Sequence, residues 1–236
     1  MAAEPITGVL FDLDDTLLDH RGAARAALAT WTAQLGLVGA LEEFEARWLH
    51  FETIYYRKYQ ARELTNAEHR RARIREFLAP RLFADDIEAD QAFEGYWKAY
   101  VASWRAFDDA VSAIERARRA GLAVGILTNG DATNQGLKVS TTALAPLDLR
   151  IFASSDLPAA KPHAAAFHAA CDSLGVLPSR CLMVGDSWEN DIEGARGAGL
   201  PVAFLDRSGM ARDDTPTLAS LDALDFGRLD LLLGRH

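Results

Sequence analysis

The chain has only two cysteines among its 236 residues, Cys171 and Cys181. Neither belongs to a Cys-x-x-Cys pair or a Cys/His zinc spacing, which excludes a disulfide framework and makes a reducing setting the expectation. Eight prolines and seventeen glycines are too few for a low-complexity or collagen-like chain. Uninterrupted apolar runs fall short of the ~20 residues a membrane span requires. The opening Met1-Ala2-Ala3-Glu4-Pro5 lacks the basic flank and apolar stretch of a signal peptide. No membrane partner is expected, and the location expected is cytoplasmic. Basic residues are also short: 25 Lys and Arg face 34 Asp and Glu, a formal charge of −9. That balance repels polyanions and argues against nucleic acid as a partner.

What is present is a rhythm. Four apolar runs, Ile6 to Phe11, Leu122 to Leu127, Cys181 to Val184 and Val202 to Leu205, read as buried strands. Each ends in polar residues: Asp12-Leu13-Asp14-Asp15-Thr16, Thr128-Asn129-Gly130-Asp131, Gly185-Asp186-Ser187, and Asp206. Helical patterns at Asp108 to Ala120, Ala164 to Leu174 and Asp191 to Ala198 are each closed by a glycine, at 121, 175 and 199. Strands alternating with helices predict an α/β fold with a parallel, doubly wound sheet whose ligands bind at the carboxyl ends of the strands. Residues 20–105 break the rhythm with long helical patterns and no strand. The expected organisation is therefore a core from 1–19 and 106–236 with 20–105 as a helical insertion. The leucine-rich tail, Leu218 to Leu233, is expected to be a last strand or helix closing the core.

Two aromatic stripes at helical spacing mark the insertion: Phe44, Trp48, Phe51, Tyr55 and Tyr59, then Phe93, Trp97, Tyr100 and Trp104. They are expected to form the core of two helices packed on each other. Arg70, Arg71, Arg73 and Arg75 read as a solvated helix face, Tyr56 and His20 with Arg21 as lining residues, and Cys181 as core.

The polar strand ends carry the chemistry. Asp12 and Asp14 share an orientation if the chain stays extended, and two carboxylates side by side call for a cation between them. A hard divalent ion such as Mg²⁺ suits oxygen ligands, with Asp186 on the same edge as a further ligand. A carboxylate freed to attack phosphorus forms an acyl-phosphate, while the second carboxyl protonates the leaving oxygen and later deprotonates water. Thr128, Asn129 and Lys161 are plausible partners for phosphoryl oxygens.

The four segments taken in order, Asp12 to Thr16, Thr128-Asn129-Gly130, Lys161-Pro162 and Gly185-Asp186-Ser187 with Asp191, resemble the motifs of the haloacid dehalogenase superfamily. The insertion after the first motif is similar to that family's helical cap. The resemblance implies Asp12 as nucleophile, Asp14 as general acid/base whose main-chain carbonyl also ligates Mg²⁺, and Asp186 as the third protein contact to the metal. It implies that Thr128 and Lys161 hold the phosphoryl group, that Asp191 supports the metal shell or orients the lysine, and that Thr16 stabilises the loop. Asn129 is a further candidate for substrate contact. Thr-Asn-Gly, Lys-Pro followed by Phe167, and Val-Gly-Asp-Ser followed by Asn190-Asp191-Ile192 look most like the capped subgroup of pyrimidine 5′-nucleotidases and N-acylneuraminate-9-phosphatases.

The implied activity is Mg²⁺-dependent hydrolysis of a small, soluble phosphomonoester, a nucleotide or sugar phosphate, by a monomer or homodimer. Phosphomutases share the four motifs. 2-Haloacid dehalogenases lack the second aspartate, present here as Asp14. From a different class, a phospho-accepting receiver module would place its acidic pair and its phosphorylated aspartate on separate strands. A non-hydrolytic phosphate-binding relative would be marked by a lost carboxylate, and none is missing.

Overall fold

Val9, Leu10 and Phe11 are fully buried because their strand has helices on both sides. The computed structural model describes residues 4–207, 209, 215–229 and 233–234. Among them six strands form one sheet: β1 (Gly8–Phe11), β2 (Ala123–Thr128), β3 (Arg150–Ala153), β4 (Cys181–Gly185), β5 (Val202–Leu205) and β6 (Thr217–Leu218). The spatial order is β3-β2-β1-β4-β5-β6, and every pairing is parallel. This is the doubly wound α/β arrangement, with the order reversing at β1. Alternate side chains feed two layers. Val9, Phe11, Ile126, Leu182 and Val184 pack with Ala113, Ile114 and Ala117 of α5 (Ala110–Arg119). Leu10, Leu127, Cys181 and Met183 pack with Phe167, Ala170 and Cys171 of α7 (Ala164–Leu174). Both cysteines are free and buried.

The three closing glycines adopt the left-handed conformation, with φ of +80° at Gly121, +71° at Gly175 and +82° at Gly199. Two elements depart from the expected pattern. The helix expected from Asp191 begins earlier, as a π-helical turn Trp188–Glu193 that passes into the short α8 (Gly194–Gly197). Between β2 and β3 lies an unforeseen helix, α6 (Ala132–Ser140), capped by Asp131, whose carboxylate accepts from the Asn134 amide at 3.1 Å. The tail gives β6 and a 3₁₀ turn at Leu221–Ala223, and buries Leu221, Leu224 and Leu229. Residues 230–232 of it lie outside the described set.

The chain divides into two compact units, one built from the residues up to Asp19 and from Arg105 onward, the other from His20–Trp104. The ends of the insertion meet within the first unit. The Asp19 amide donates to the Arg105 carbonyl at 3.1 Å, the Arg105 side chain returns to the Asp19 carboxylate, and Leu18 bridges Ala106.

The second unit holds α1 (His20–Gln34), α2 (Leu41–Gln60), α3 (Asn66–Phe77) and α4 (Asp86–Ala102). Its centre is Trp31 of α1, ringed by Trp48, Phe77 and Tyr96 at centroid distances of 5.9, 5.5 and 5.9 Å. The two striped helices touch through Trp48 and Tyr96, 4.1 Å between centroids, with Tyr96 lying off the expected stripe. Gly95 leaves room for Trp31, since a Cβ there would stand 2.8 Å from its indole nitrogen. Tyr56 packs on Tyr59 and His69, and His20 bonds the Tyr100 hydroxyl at 2.5 Å.

The arginine run is not a solvated face. Arg73 is 5% exposed, paired with Glu52, and stacked 4.4 Å over Trp48, while Arg70 lies 4.8 Å over Trp97. Aromatic faces offer a guanidinium a partner that water would otherwise supply. Arg71 and Arg75 do reach outward, to Asp86 and Asp90. No helix among the described residues is long and apolar enough to cross a membrane.

Candidate active site

Asp12 is the first residue beyond β1. Its amide still donates to the Val184 carbonyl at 2.9 Å, so the carboxylate emerges in line with the sheet. The next residues turn back at once: Leu13 is fully buried, Asp15 has φ +64°, and the Leu17 and Leu18 amides both return to the Leu13 carbonyl. Thr16, fully buried, accepts from the Asp186 amide at 3.2 Å, which ties the first loop to the loop after β4.

Lys161 enters from the loop before α7 and is 4% exposed. Its ammonium reaches Asp12 Oδ1 at 2.7 Å, the Leu127 carbonyl at 2.8 Å and Asp191 Oδ1 at 2.6 Å, so all three N–H groups have an acceptor. Burial would lower its pKa, but the Asp12 and Asp191 carboxylates outweigh that and hold it charged, above an ordinary lysine. Asn129, expected among the substrate contacts, has both ends of its amide on the Lys161 main chain, at 2.9 Å to the carbonyl and 2.8 Å from the amide.

Asp191 is fully buried on the π-helical turn, and its second oxygen accepts from the Ser187 amide at 3.0 Å. Gly185 makes this possible, because a Cβ there would lie 2.3 Å from Asp191 Oδ2. Asp12, Asp186 and Asp191 bring one oxygen each to within 4.8 Å of one another. Burial raises the Asp12 pKa well above the usual carboxylate range, Lys161 opposes the rise, and Asp191 and Asp186 add to it. Three carboxylates around one ammonium leave negative charge uncompensated, and an all-oxygen donor set of this kind fits a hard divalent cation such as Mg²⁺.

Asp14 stands apart from that cluster. Both of its oxygens bond the ammonium of Lys138, at 2.6 and 2.7 Å, and Oδ2 also accepts from Gln135 Nε2 at 3.2 Å. The same Gln135 nitrogen donates to the buried Thr128 hydroxyl at 2.6 Å. Gln135 and Lys138 lie three apart on α6, and sequence reasoning missed both. The readable signal was Asp131 as a helix cap, which places those two residues on one face. Arg207 was also missed. It grips Asp109 through two nitrogens at 2.9 and 2.8 Å and donates to the Thr16 carbonyl at 2.9 Å, bracing the first loop from behind.

A model of haloacid dehalogenase-like hydrolases matches residues 6–199, a span that holds every one of these groups except Arg207. The chain belongs to that family. Among curated members of the haloacid dehalogenase-like hydrolases, the phosphoserine phosphatase of Thermus thermophilus is 30% identical over 227 residues, covering 87% of this chain and 90% of that one. The N-acylneuraminate-9-phosphatase of Rattus norvegicus is 26% identical over 222 residues, covering 89% and 86%. Among solved structures, the HAD-hydrolase YfnB of Bacillus subtilis, bound to magnesium, superposes with a TM-score of 0.79 at 21% identity over 98% of this chain and 100% of that one. A dehalogenase in an intermediate complex shares the fold with a TM-score of 0.72 at 22% identity, covering 99% of both chains.

Proposed function

We propose that the protein is a phosphomonoesterase that transfers the phosphoryl group of a small soluble ester, a nucleotide or sugar phosphate, to Asp12 and then to water. The observation that carries this reading is the separation of the two aspartates. Asp12 sits with Lys161 in the carboxylate cluster, while Asp14 sits with Lys138 and Gln135 outside it. Two carboxylates in different surroundings take different roles.

Asp12 attacks phosphorus, and a proton that Asp14 takes up from solvent beforehand, against the preference of the Lys138 ammonium for its carboxylate, passes to the ester oxygen as the P–O bond breaks. Asp14, now a carboxylate, takes a proton from the water that attacks the aspartyl-phosphate, which regenerates Asp12 and releases phosphate. Gln135 occupies an acceptor site of the Thr128 hydroxyl, leaving its proton to donate to a phosphoryl oxygen. Once Asp12 is phosphorylated, the Lys161 N–H that held it turns to the phosphoryl group, while Asp191 and the Leu127 carbonyl keep the ammonium in place. A divalent cation held by Asp12, Asp186 and the Asp14 main-chain carbonyl would neutralise charge on the transferring group. Asp14 with its own lysine weighs against a dehalogenase, whose halide leaves without a proton. The phosphatases named above support a small anionic substrate.

The test is phosphate release from a panel of nucleoside monophosphates, sugar phosphates and sugar-acid phosphates together with para-nitrophenyl phosphate, in Mg²⁺ and in excess chelator. Metal-dependent release that is lost in Asp12→Asn, with the circular dichroism of the variant unchanged, is the expected result. Substantial turnover by Asp12→Asn would remove the nucleophile assignment.

A further inference from the structure

We infer that Lys138 and Gln135 are the positioning residues of the proton-transfer step, with Lys138 deciding where the Asp14 carboxyl points. This rests on the reading of Asp14 as the acid/base group.

A lysine on a nine-residue helix ordinarily lets its ammonium extend into water. Lys138 is instead 6% exposed, and a buried ammonium is tolerated only when paired. Its contact to both Asp14 oxygens, at 2.6 and 2.7 Å, fixes the rotation of the carboxyl as well as its location. Gln135, one turn earlier, links the same carboxyl to the Thr128 hydroxyl through a single nitrogen. The helix that carries both residues is pinned at its start, where Asp131 caps it and the Ala132 amide donates to the Ser155 hydroxyl at 2.9 Å. The donor of the leaving-group proton and a donor to the phosphoryl oxygens are thus referenced to one short helix that begins just past the end of β2. Neither Lys138 nor Gln135 need touch substrate for this.

A positioned acid matters only where the departing oxygen needs a proton. The transfer moves one proton from the Asp14 carboxyl to that oxygen as the Asp12–phosphorus bond forms and the ester P–O bond breaks. An alkoxide requires it, whereas para-nitrophenolate is stable without it. The experiment compares kcat and KM of Lys138→Met, Lys138→Arg and Asp14→Asn on the best alkyl ester of the panel and on para-nitrophenyl phosphate.

In Lys138→Met, kcat on the alkyl ester should fall by ~10²-fold with KM nearly unchanged, and the loss on para-nitrophenyl phosphate should be at least ~10-fold smaller. Lys138→Arg, which keeps a two-pronged donor, should recover part of the alkyl rate. It also gives the same selective pattern if Lys138→Met does not fold. Equal losses on both esters with a lowered melting temperature would overturn the inference in favour of a purely structural lysine. A raised KM at constant kcat would overturn it in favour of substrate contact. Faster alkyl turnover would also overturn it, since Lys138 would then be holding Asp14 as a carboxylate against its role as the acid. Asp14→Asn separates the two levels: if it abolishes alkyl turnover while Lys138→Met leaves the alkyl rate at its wild-type value, only the positioning role falls, and if it spares alkyl turnover, the acid/base reading falls too.

Discussion

The carboxylate cluster of the first unit and the helical unit bury charge in different ways, although away from that cluster Arg207 also leaves its Nε without a hydrogen-bond partner and sets its guanidinium carbon 3.9 Å over the Phe107 ring. In the first, each buried ionic group of the site is met by hydrogen bonds: Lys161 has three acceptors, and Asp191 accepts from both Lys161 and Ser187. In the helical unit, Arg73 and His69 are also buried, yet Arg73 Nε and His69 Nδ1 have no hydrogen-bond partner. Rings stand in for them, with Trp48 and Phe93 beneath Arg73 and Tyr59 stacked on His69. Directional bonds fix an atom's place, as chemistry requires. Aromatic faces accept a cation over a broad area, which holds a helix bundle together without fixing any one atom. Substitutions in the first unit should therefore cost activity out of proportion to stability, and those in the second the reverse.

The sharpest probe is Lys161→Met. It strands Asp12 and Asp191 without their cation, so phosphate release should drop to background. Stability should fall by ~3–5 kcal/mol, read from urea denaturation. Trp31→Ala is the counterpart. Removing the hub of the aromatic cluster should cost ~3–5 kcal/mol. Trp31, Trp48, Trp97 and Trp104 all lie in the helical unit, against Trp188 alone in the other. Tryptophan fluorescence should therefore report the loss at lower urea than far-ultraviolet circular dichroism does. Coincident transitions would mean that the two units unfold as one, and the contrast would lose its force.

Acid should separate the units as well. Burial, reinforced by Arg73 and Arg70, pushes the His69 pKa from its ordinary value to about 3. The folded bundle refuses a proton that the unfolded chain accepts. Its stability is therefore full above about pH 6.5 and declines as pH falls towards the folded value, by roughly 3–5 kcal/mol at the acid end. Asp109 in the first unit behaves differently. Burial would raise its pKa, but hydrogen bonds from Arg207, Ser220 and the Leu221 amide outweigh burial and hold it below the usual range. Its contribution persists down to about pH 4 and is lost only below that. Urea titrations from pH 7 to 4 should show the fluorescence midpoint falling first, and His69→Phe should flatten that fall. The smallest effect is expected from Gly95→Ala. Its new methyl would press on the Trp31 indole and cost ~1–3 kcal/mol without altering kcat, as steady-state kinetics would show.

The legible parts of the chain were those where pattern and position coincide. A continuous apolar run needs burial on both faces, so β1, β2, β4 and β5 announced themselves, and the polar residues closing them had to fall on one edge of a parallel sheet. Arg150–Ala153 does not read as a strand because it opens with an arginine and leaves an apolar run of only Ile151, Phe152 and Ala153. The hidden helix α6 taught more. Its stretch Asp131 to Gly136 is rich in turn formers, and its inward face carries Gln135 and Lys138 in place of apolar residues. Hydrophobic periodicity vanishes when the buried face of a helix is polar for a chemical purpose. The arginine run misled for a related reason: composition records charge but not the rings that receive it. Asn129 shows the limit at a single residue, since its type fits a phosphate contact as well as it fits the main-chain clamp on Lys161.

The paired segments at Asp19 and Arg105, on either side of the Leu18–Ala106 bridge, carry a consequence for how such a chain tolerates change. Eighty-six positions separate the two residues, yet they are hydrogen-bonded neighbours beside an antiparallel bridge, joined as the two sides of a hairpin would be. Whatever is threaded between them adds little to the search the first unit must make, because the cost of closing a loop grows only slowly with its length. The His20–Trp104 segment can therefore be treated as a cassette, to be exchanged for another helical bundle or a short turn at those two residues, while the loops bearing Asp12, Thr128, Lys161 and Asp186 keep their own supports.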